Sequence, residues 1–302
     1  MHTSRRNFLK TGALALAGAA LAPDLLAAKP RRQLVGIQLY SIRAEMEQDP
    51  LGTLRQLAAM GYRHVEHANY RDRKFYGYPA AEFRQILDDL GMTMPSGHTV
   101  LGSEHWIEAS KDFSDSWKHT VEDAAIMGQR YVISPWLDQR LRSSRSELLR
   151  MMEVFNRCGE LCLLYGMRFG YHNHDFEFSE RLEGETLYDL MLQHTDPVYV
   201  MQQLDIGNMV SGGAKAQDWL SRYPGRFTSL HVKDEIAVDG AAHPYESTVL
   251  GQGIVNVPQV LKLALKYNKS VHLIIEQEAY QGKAPLDCAR EDLAAMKQWG
   301  YV

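Results

Sequence analysis

From residue 33 onward, the chain alternates between short apolar runs and longer amphipathic stretches. Each run ends in a polar junction, and eight occur, at residues 34–40, 62–67, 92–98, 131–135, 168–174, 198–206, 227–233 and 271–278. A short buried run followed by an amphipathic stretch is the unit of a parallel α/β fold. The pattern therefore predicts eight β-strands, each followed by helical structure.

Local signals mark the predicted helix boundaries. Asp49 precedes Pro50, which favours a helix that begins with proline in its first turn, and Pro79 predicts a second start of the same kind. Ser144 and Glu147 have the spacing of a capping box. Glycines follow four helical stretches, where a left-handed terminating residue is expected: Gly61, Gly91, Gly128 and Gly166.

Eight strand–helix units predict an α/β fold, a (β/α)8 TIM barrel. The alternative is a doubly wound open sheet, which usually has fewer strands and often a Gly-rich phosphate turn after the first one. Here the first run leads into Gln-Leu-Tyr-Ser-Ile-Arg at 38–43, which is not such a turn. We expect one barrel domain over residues 29–302, with an irregular loop at 234–256 over one mouth.

The first 28 residues have a different character. Arg5 and Arg6 are followed by Phe-Leu-Lys, an Ala-rich apolar stretch at 13–22 and small residues near Ala27. A charged start, a short apolar middle and small residues are typical of a signal peptide. The paired arginines resemble a twin-arginine export signal, whereas a basic amphipathic helix would need an alternation that this segment lacks. We expect a periplasmic or secreted protein, without a membrane span once the signal is removed.

Composition narrows the possible functions. The chain has 302 residues and a net charge of −4, so no basic face for nucleic acid is implied. The three cysteines, Cys158, Cys162 and Cys288, are an odd number without a Cys-x-x-Cys pair. This spacing favours buried core thiols over a disulfide framework or a zinc knuckle.

Side chains that commonly bind metals or transfer protons end the apolar runs. They are Glu66 in the second run, His98 in the third, His172 and His174 in the fifth, Asp205 in the sixth, His231 and Lys233 in the seventh, and Glu276 and Glu278 in the eighth. In a TIM barrel, the active site lies at the carboxyl ends of the strands. We therefore expect these side chains to meet at one mouth.

Strand parity selects a metal-ligand set from this group. Residues two apart share a face, so His172, Asp205, His231 and Glu276 converge if each points into the mouth. A single histidine at a strand end is more often structural, but four such residues at four successive strand ends are hard to explain by chance. Two imidazoles and two carboxylates suit one divalent ion: Mn, Co, Fe, Mg or Zn.

Several motifs together resemble the xylose isomerase-like TIM-barrel superfamily, whose members are commonly described as sugar phosphate isomerases/epimerases. The motifs are Gln-Leu-Tyr-Ser-Ile-Arg at 38–43, Gly-Tyr-x-x-Val-Glu at 61–66, Tyr-His-Asn-His at 171–174, Leu-Asp-Ile-Gly at 204–207, Leu-His-Val-Lys-Asp at 230–234, Gly-x-Gly-x-Val at 251–255 and Ile-Glu at 275–276. They occur in the family's order over nearly the whole mature chain.

The resemblance implies a metal held by Glu, Asp, His and Glu on strands five to eight. Asp205, His231 and Glu276 match three of these positions, but His172 stands where ketose epimerases have glutamate. Ketose epimerases use the glutamates of strands five and eight to move the proton, and this chain lacks the first of them. In this respect the sequence is more similar to the inosose dehydratase branch, which also has a histidine run there. The related DNA-cutting branch is disfavoured by Asn208, where a histidine is expected, and by the net charge of −4.

The implied reaction is a metal-dependent isomerisation or epimerisation of a carbohydrate, through proton abstraction next to a carbonyl and a metal-stabilised enediolate. A lyase, dehydratase or hydratase acting on an inosose or a 3-keto-glycoside is the alternative, and a non-catalytic carbohydrate-binding barrel is a second one. Candidate proton-transfer residues are His174, Glu276, Glu66 and His98. Candidate substrate-binding residues are Lys233, Gln38, Tyr40 and Trp136.

Overall fold

Eight parallel strands close into a barrel. They are β1 (Leu34–Gln38), β2 (His64–His67), β3 (Thr93–His98), β4 (Tyr131–Ser134), β5 (Arg168–His172), β6 (Val200–Asp205), β7 (Phe227–Val232) and β8 (His272–Ile275). The computed structural model describes residues 33–240, 244–268 and 271–302, so the predicted signal peptide lies outside the described residues. Each strand pairs with its neighbours in chain order, and β8 pairs with β1, which confirms the predicted barrel.

Each predicted apolar run contains one barrel strand, but most strands end earlier than the run. Tyr40, His174, Lys233 and Glu276 all lie one or two residues beyond a strand. At these points the chain leaves the hydrogen-bonded ladder and turns into the mouth. In these runs the last polar residues lie just past the strand, at the end of the barrel where a TIM barrel carries its functional groups.

Helices surround the barrel and cross its mouth. They are α1 (Arg43–Gln48), α2 (Pro50–Met60), α3 (Ala80–Asp89), α4 (Asp115–Met127), α5 (Arg145–Leu164), α6 (Phe176–Ser179), α7 (Leu187–His194), α8 (Ile206–Ser211), α9 (Ala216–Arg222), α10 (Val257–Tyr267) and α11 (Pro285–Gln298). Short 3-10 turns occupy Leu39–Ile42, Ser103–His105 and Gln139–Arg142. None of the described helices has the length and apolar character needed to cross a membrane.

The predicted helix boundaries are largely confirmed. Asp49 accepts a hydrogen bond from the Gly52 amide at 2.9 Å, and Ser144 accepts one from the Glu147 amide at 3.2 Å, so both cap their helices. Pro79 is the exception, because it lies outside the helix with an extended ψ of 152°, and α3 begins at Ala80. Gly61 ends α2 with a φ of 112°, which explains why glycine is needed there.

The core fills the space between the strands and the surrounding helices. All three cysteines are buried free thiols, as predicted, and Cys158 accepts a hydrogen bond from the indole of Trp117. Helix α5 lies so close to β6 that a Cβ added to Gly159 would stand 2.5 Å from Tyr199 Cβ. This contact fixes the distance between the helix layer and the barrel at the strand that carries Asp205.

Short antiparallel strands decorate the loops. They are Tyr70–Arg71, Lys74–Phe75 and Tyr78–Pro79 in one sheet, Trp106–Ile107 with Asp112–Phe113, Arg181–Leu182 with Glu185–Thr186, and Asp234–Ala237 with Tyr245–Thr248. The last pair corrects the expectation of an irregular loop at 234–256. Alternation of polar and apolar residues is weak there, and a buried side chain supplies the order instead.

That side chain belongs to Asp234. Its Oδ1 accepts hydrogen bonds from the amides of Glu235 and Val255, both at 3.0 Å. Its Oδ2 accepts from the amides of Gly251 and Gly253, at 2.8 and 3.0 Å. One carboxylate thus joins the base of the hairpin to the turn that follows it.

Candidate active site

Four of the sequence-predicted residues converge at the barrel mouth. His172, Asp205, His231 and Glu276 each offer a nitrogen or oxygen atom, and these atoms lie within 4.8 Å of one another. All four residues are buried. Asp205 and His231 are register partners on β6 and β7, so the barrel itself sets their spacing.

The donor atoms of this cluster fit a divalent cation. Asp205 Oδ2 is buried and accepts no hydrogen bond from the described residues, although Lys233 Nζ lies 2.9 Å away. His172 Nε2 lies 3.9 Å from the same oxygen, and His231 Nδ1 lies 4.0 Å from it. A buried carboxylate oxygen with two imidazole nitrogens around it is a donor set that suits a divalent cation.

Lys233 is a buried cation at the edge of the cluster. Its Nζ lies 2.9 Å from Asp205 Oδ2, 3.1 Å from Glu276 Oε2 and 2.8 Å from Glu278 Oε1. Burial alone would lower its pKa, but these three carboxylates raise the pKa well above its usual value. The carboxylates of the cluster therefore create a negative local potential that favours a bound cation.

His231 lies between two carboxylates. Its Nε2 is 2.6 Å from Glu66 Oε1, and its Nδ1 is 3.0 Å from Glu276 Oε2. Burial opposes protonation, but Glu276 and Glu66 outweigh it and raise the pKa of His231 to about 10. Burial, opposed by Lys233, raises the pKa of Asp205 to about 7.

His172 differs from His231 in its electrostatic surroundings. Burial, together with the nearby imidazoles of His231 and His98, lowers its pKa well below the usual histidine value. The neutral ring can therefore offer a lone pair, which a metal ligand requires. A second group of three imidazoles, His98, His172 and His231, also brings its nitrogens within 4.8 Å of one another, but it lacks a carboxylate.

A layer of polar side chains fills the barrel directly around Glu66. Glu66 is fully buried and contacts Gln38 Nε2 at 2.9 Å, Gln203 Nε2 at 2.9 Å, Ser96 Oγ, and His98 Nε2 at 3.2 Å. Neither Glu66 nor Gln38 lines the cavities at the mouth. Both side chains form hydrogen bonds inside the barrel, and their expected roles in proton transfer and substrate binding stay predictions.

Sequence reasoning missed Gln203. Its side chain connects β2, β3, β5 and β7 by bonding to Glu66, His98, His172 and Ser229. A signal was present, because Gln203 lies two residues before Asp205 and so shares its inward face. A polar residue inside an otherwise apolar run could have indicated this role.

An open cavity of about 410 Å³ lies above the cluster. The predicted residues that line it are Tyr40, His98, Trp136, His172, His174, Glu276 and Glu278, with Tyr70 and Thr99 among the others. Tyr40 and Trp136 are 43% and 42% exposed, so their rings are available to a ligand. A mixture of aromatic and polar groups at this size suits a small polar molecule.

A second cavity of about 450 Å³ adjoins the first. Trp136, His174 and Glu278 line both cavities, and Lys233, Asn208, Ser211 and Ser247 line only the second. Lys233 therefore contacts the cluster on one side and the second cavity on the other.

His174 stands where the two cavities meet. Its Nδ1 is buried and has no hydrogen-bond partner among the described residues, while its backbone amide donates to Glu177 Oε2 at 2.7 Å. Burial, reinforced by Lys233, lowers its pKa to about 4. The ring is therefore neutral at ordinary pH, and the hydrogen bond to Glu177 fixes its backbone.

The fold is a TIM barrel with four metal-type side chains gathered at its mouth, next to an open cavity. The chain belongs to the xylose isomerase-like TIM barrel family, whose model matches residues 54–299. No functionally curated relative matches the chain.

Several solved structures are similar to this chain over most of its length. A sugar phosphate isomerase/epimerase from Parabacteroides distasonis is 25% identical, with a TM-score of 0.76 over 93% of this chain and 99% of that one. An L-ribulose 3-epimerase is 13% identical, with a TM-score of 0.65 over 88% and 94% of the two chains. A D-psicose 3-epimerase is also 13% identical, with a TM-score of 0.62 over 88% and 99%. At these lower identities the likeness concerns the fold alone.

Proposed function

We propose that this protein is a divalent-metal-dependent isomerase or epimerase that acts on a small carbohydrate by abstracting a proton next to a carbonyl. The observation that carries the proposal is the cluster of His172, Asp205, His231 and Glu276, of which His172 and Glu276 line the 410 Å³ cavity. When bound there, a divalent cation would polarise the substrate's oxygens and stabilise the negative charge that develops on them.

The chain's own groups support proton transfer. His174 is neutral and borders both cavities, and its Nδ1 has no hydrogen-bond partner among the residues that the structure describes, so this ring is our candidate general base. Glu276 faces the first cavity, and Lys233 and His231 hold its pKa well below the usual range despite its burial. It therefore remains an ionised carboxylate that can bind the cation or receive a proton.

Binding groups surround these residues. Tyr40 and Trp136 offer exposed rings on which a sugar face can stack, and Lys233 offers a charged donor. His98 lines the cavity, but its Nε2 already contacts Gln203 Oε1 at 2.7 Å. We propose that His98 contacts substrate through its remaining edge and that His174 transfers the proton.

Metal content provides the first test. Purified wild-type protein should hold about one divalent ion per chain, and His231→Ala and Glu276→Ala should each lose it. Lys283→Met, on an exposed ion pair away from the cluster, is the matched control. Unchanged metal content in both cluster variants would exclude the site.

Solvent exchange tests the chemistry. Metal-loaded protein is incubated in heavy water with a panel of ketoses, inososes and 3-keto-glycosides. Deuterium uptake at the carbon next to the carbonyl is expected, and His174→Ala should reduce the rate by roughly 10²- to 10⁴-fold. Binding without exchange or bond cleavage would favour the non-catalytic carbohydrate-binding barrel.

The second cavity favours one alternative, a lyase or hydratase acting on a keto-glycoside. A substrate with two parts could place one above the cluster and the other in the 450 Å³ cavity, with the connecting bond near His174. Release of an aglycone in the same panel would identify the lyase, and a product that has gained one molecule of water would identify the hydratase. An inosose dehydratase activity would appear in the inosose arm of the panel.

We also propose that the protein is exported. The support is the sequence around Arg5 and Arg6, which resembles a twin-arginine signal, and replacement of both arginines by lysine tests the proposal.

A further inference from the structure

Glu66 is well placed to orient a ligand rather than to react. His231 exposes its two nitrogens to different carboxylates, with Nε2 against Glu66 Oε1 at 2.6 Å and Nδ1 against Glu276 Oε2 at 3.0 Å. Glu276 lines the cavity and Glu66 does not. The nitrogen that faces the four-residue cluster is therefore Nδ1, and the one that faces the barrel interior is Nε2.

The surroundings of Glu66 make it a hydrogen-bond acceptor. Gln38 donates to Oε1, and Ser96 and Gln203 donate to Oε2. Gln38 and Ser96 are register partners of Glu66 on the two neighbouring strands, so the barrel geometry fixes this arrangement. With both oxygens held by donors, Glu66 is oriented to accept a hydrogen bond from His231 Nε2–H.

Gln203 orients His172 in the way that Glu66 orients His231. Its amide nitrogen donates to Glu66 Oε2 at 2.9 Å and to Ser229 Oγ at 3.0 Å. The opposite amide orientation would place a carbonyl oxygen against the Glu66 carboxylate, which the network disfavours. Gln203 Oε1 therefore accepts from His172 Nδ1 at 3.2 Å, which leaves His172 Nε2 facing Asp205.

We infer that Glu66 and Gln203 are positioning residues that set the tautomers of the two histidine ligands. Glu66 holds the proton of His231 on Nε2 so that Nδ1 is free to bind the cation, and Gln203 holds the proton of His172 on Nδ1 so that Nε2 is free. The inference rests on the proposed metal site. It gives Glu66 a role through His231 instead of contact with substrate, because metal-bound imidazoles need an acceptor on their other nitrogen.

The direct test reads the tautomers in the unmodified protein. Histidine labelled with ¹⁵N is incorporated, the protein is loaded with Zn²⁺, and long-range ¹H–¹⁵N spectra assign the protonated nitrogen of each ring. We expect His231 with Nε2–H and a metal-bound Nδ1, and His172 with Nδ1–H and a metal-bound Nε2. The opposite pattern at either ring would overturn the assignment for that ring.

A variant tests the energetic role. Glu66→Gln should weaken Zn²⁺ binding by roughly 10- to 100-fold in competition with a chelator. Asp123→Asn is the matched control, since Asp123 is also buried and accepts from Arg73 and Tyr70, outside the cluster. It should bind Zn²⁺ as the wild type does.

The outcomes separate the two proposals. If the wild type takes up no Zn²⁺, the proposed metal site itself fails. If the wild type binds Zn²⁺ and Glu66→Gln binds it equally well, the metal site stands and the positioning role is refuted. Should Glu66→Gln not fold, the tautomers of the unmodified protein still decide the question.

Discussion

Lys233 Nζ lies 2.9 Å from Asp205 Oδ2, closer than either neighbouring imidazole nitrogen. The same ammonium contacts Glu276 at 3.1 Å, so it shares two of the four proposed metal ligands. A divalent ion bound by the cluster and the ammonium of this lysine would therefore compete for the carboxylates of Asp205 and Glu276. Their competition leads to the first prediction.

Lys233→Met should raise metal affinity about tenfold, because it removes a positive charge within a few ångströms of the proposed site. The metal-free variant should also be less stable by a few kcal/mol, since buried carboxylates lose their partner. Chelator competition measures the first effect and urea unfolding of the metal-free protein the second. Lys283→Met, which removes an exposed ion pair, should change neither. Weaker metal binding in Lys233→Met would show that the lysine organises the ligands instead of opposing the ion.

Metal uptake should release protons in a pH-dependent number. Before binding, His231 carries a proton because its pKa is raised to about 10, and Asp205 carries one below its pKa of about 7. We expect about one proton released at pH 8 and nearly two at pH 6, so affinity falls as pH falls. Calorimetric titrations in buffers of different ionisation enthalpy count these protons. Release of none at pH 8 would contradict the role of His231.

Asp292 should make the protein less stable as pH rises from about 4 to 7. Burial raises its folded pKa to about 7 from a usual value of 3.8, although the Leu250 amide donates to it at 2.8 Å. A raised carboxyl pKa contributes stability below the unfolded value, and that contribution is lost as pH rises to the folded value. Asp292→Asn keeps an acceptor for Leu250 without the titration, so its melting temperature relative to wild type should rise over this range. The exposed Asp218→Asn should show no such trend.

Export should depend on the paired arginines. Replacing Arg5 and Arg6 together by lysine should leave the protein in the cytoplasm, because twin-arginine signals are read by a receptor rather than by hydrophobicity alone. Cell fractionation with an antibody measures the distribution. Arg31→Lys with Arg32→Lys, beyond the predicted signal, is the control pair. Normal export of the first variant would point to another route.

The barrel was predictable from the regular spacing of the apolar runs, and the four-residue cluster from the location of its members at the ends of those runs. Eight apolar runs define the strands, and residues at the ends of parallel strands must meet at one mouth. The inward contacts of Glu66 and Gln38 were not predictable, since position at a strand end does not tell whether a side chain faces the cavity or the interior. That distinction arises from cross-strand contacts with Ser96 and Gln203, which are distant in sequence. The hairpin at Asp234–Ala237 depends likewise on one carboxylate that collects four backbone amides.

The anchoring of the hairpin by Asp234 bears on how the substrate range of this barrel could evolve. The hairpin strand Tyr245–Thr248 contributes to the second cavity, yet it is attached to the barrel by an anchor that lies outside that cavity. Exposed side chains of this strand that line the cavity, such as Glu246, can therefore be exchanged without disturbing either the anchor or the cluster. A descendant of this chain could acquire a new substrate through substitutions in one short β-hairpin, while the four-residue cluster stays unchanged.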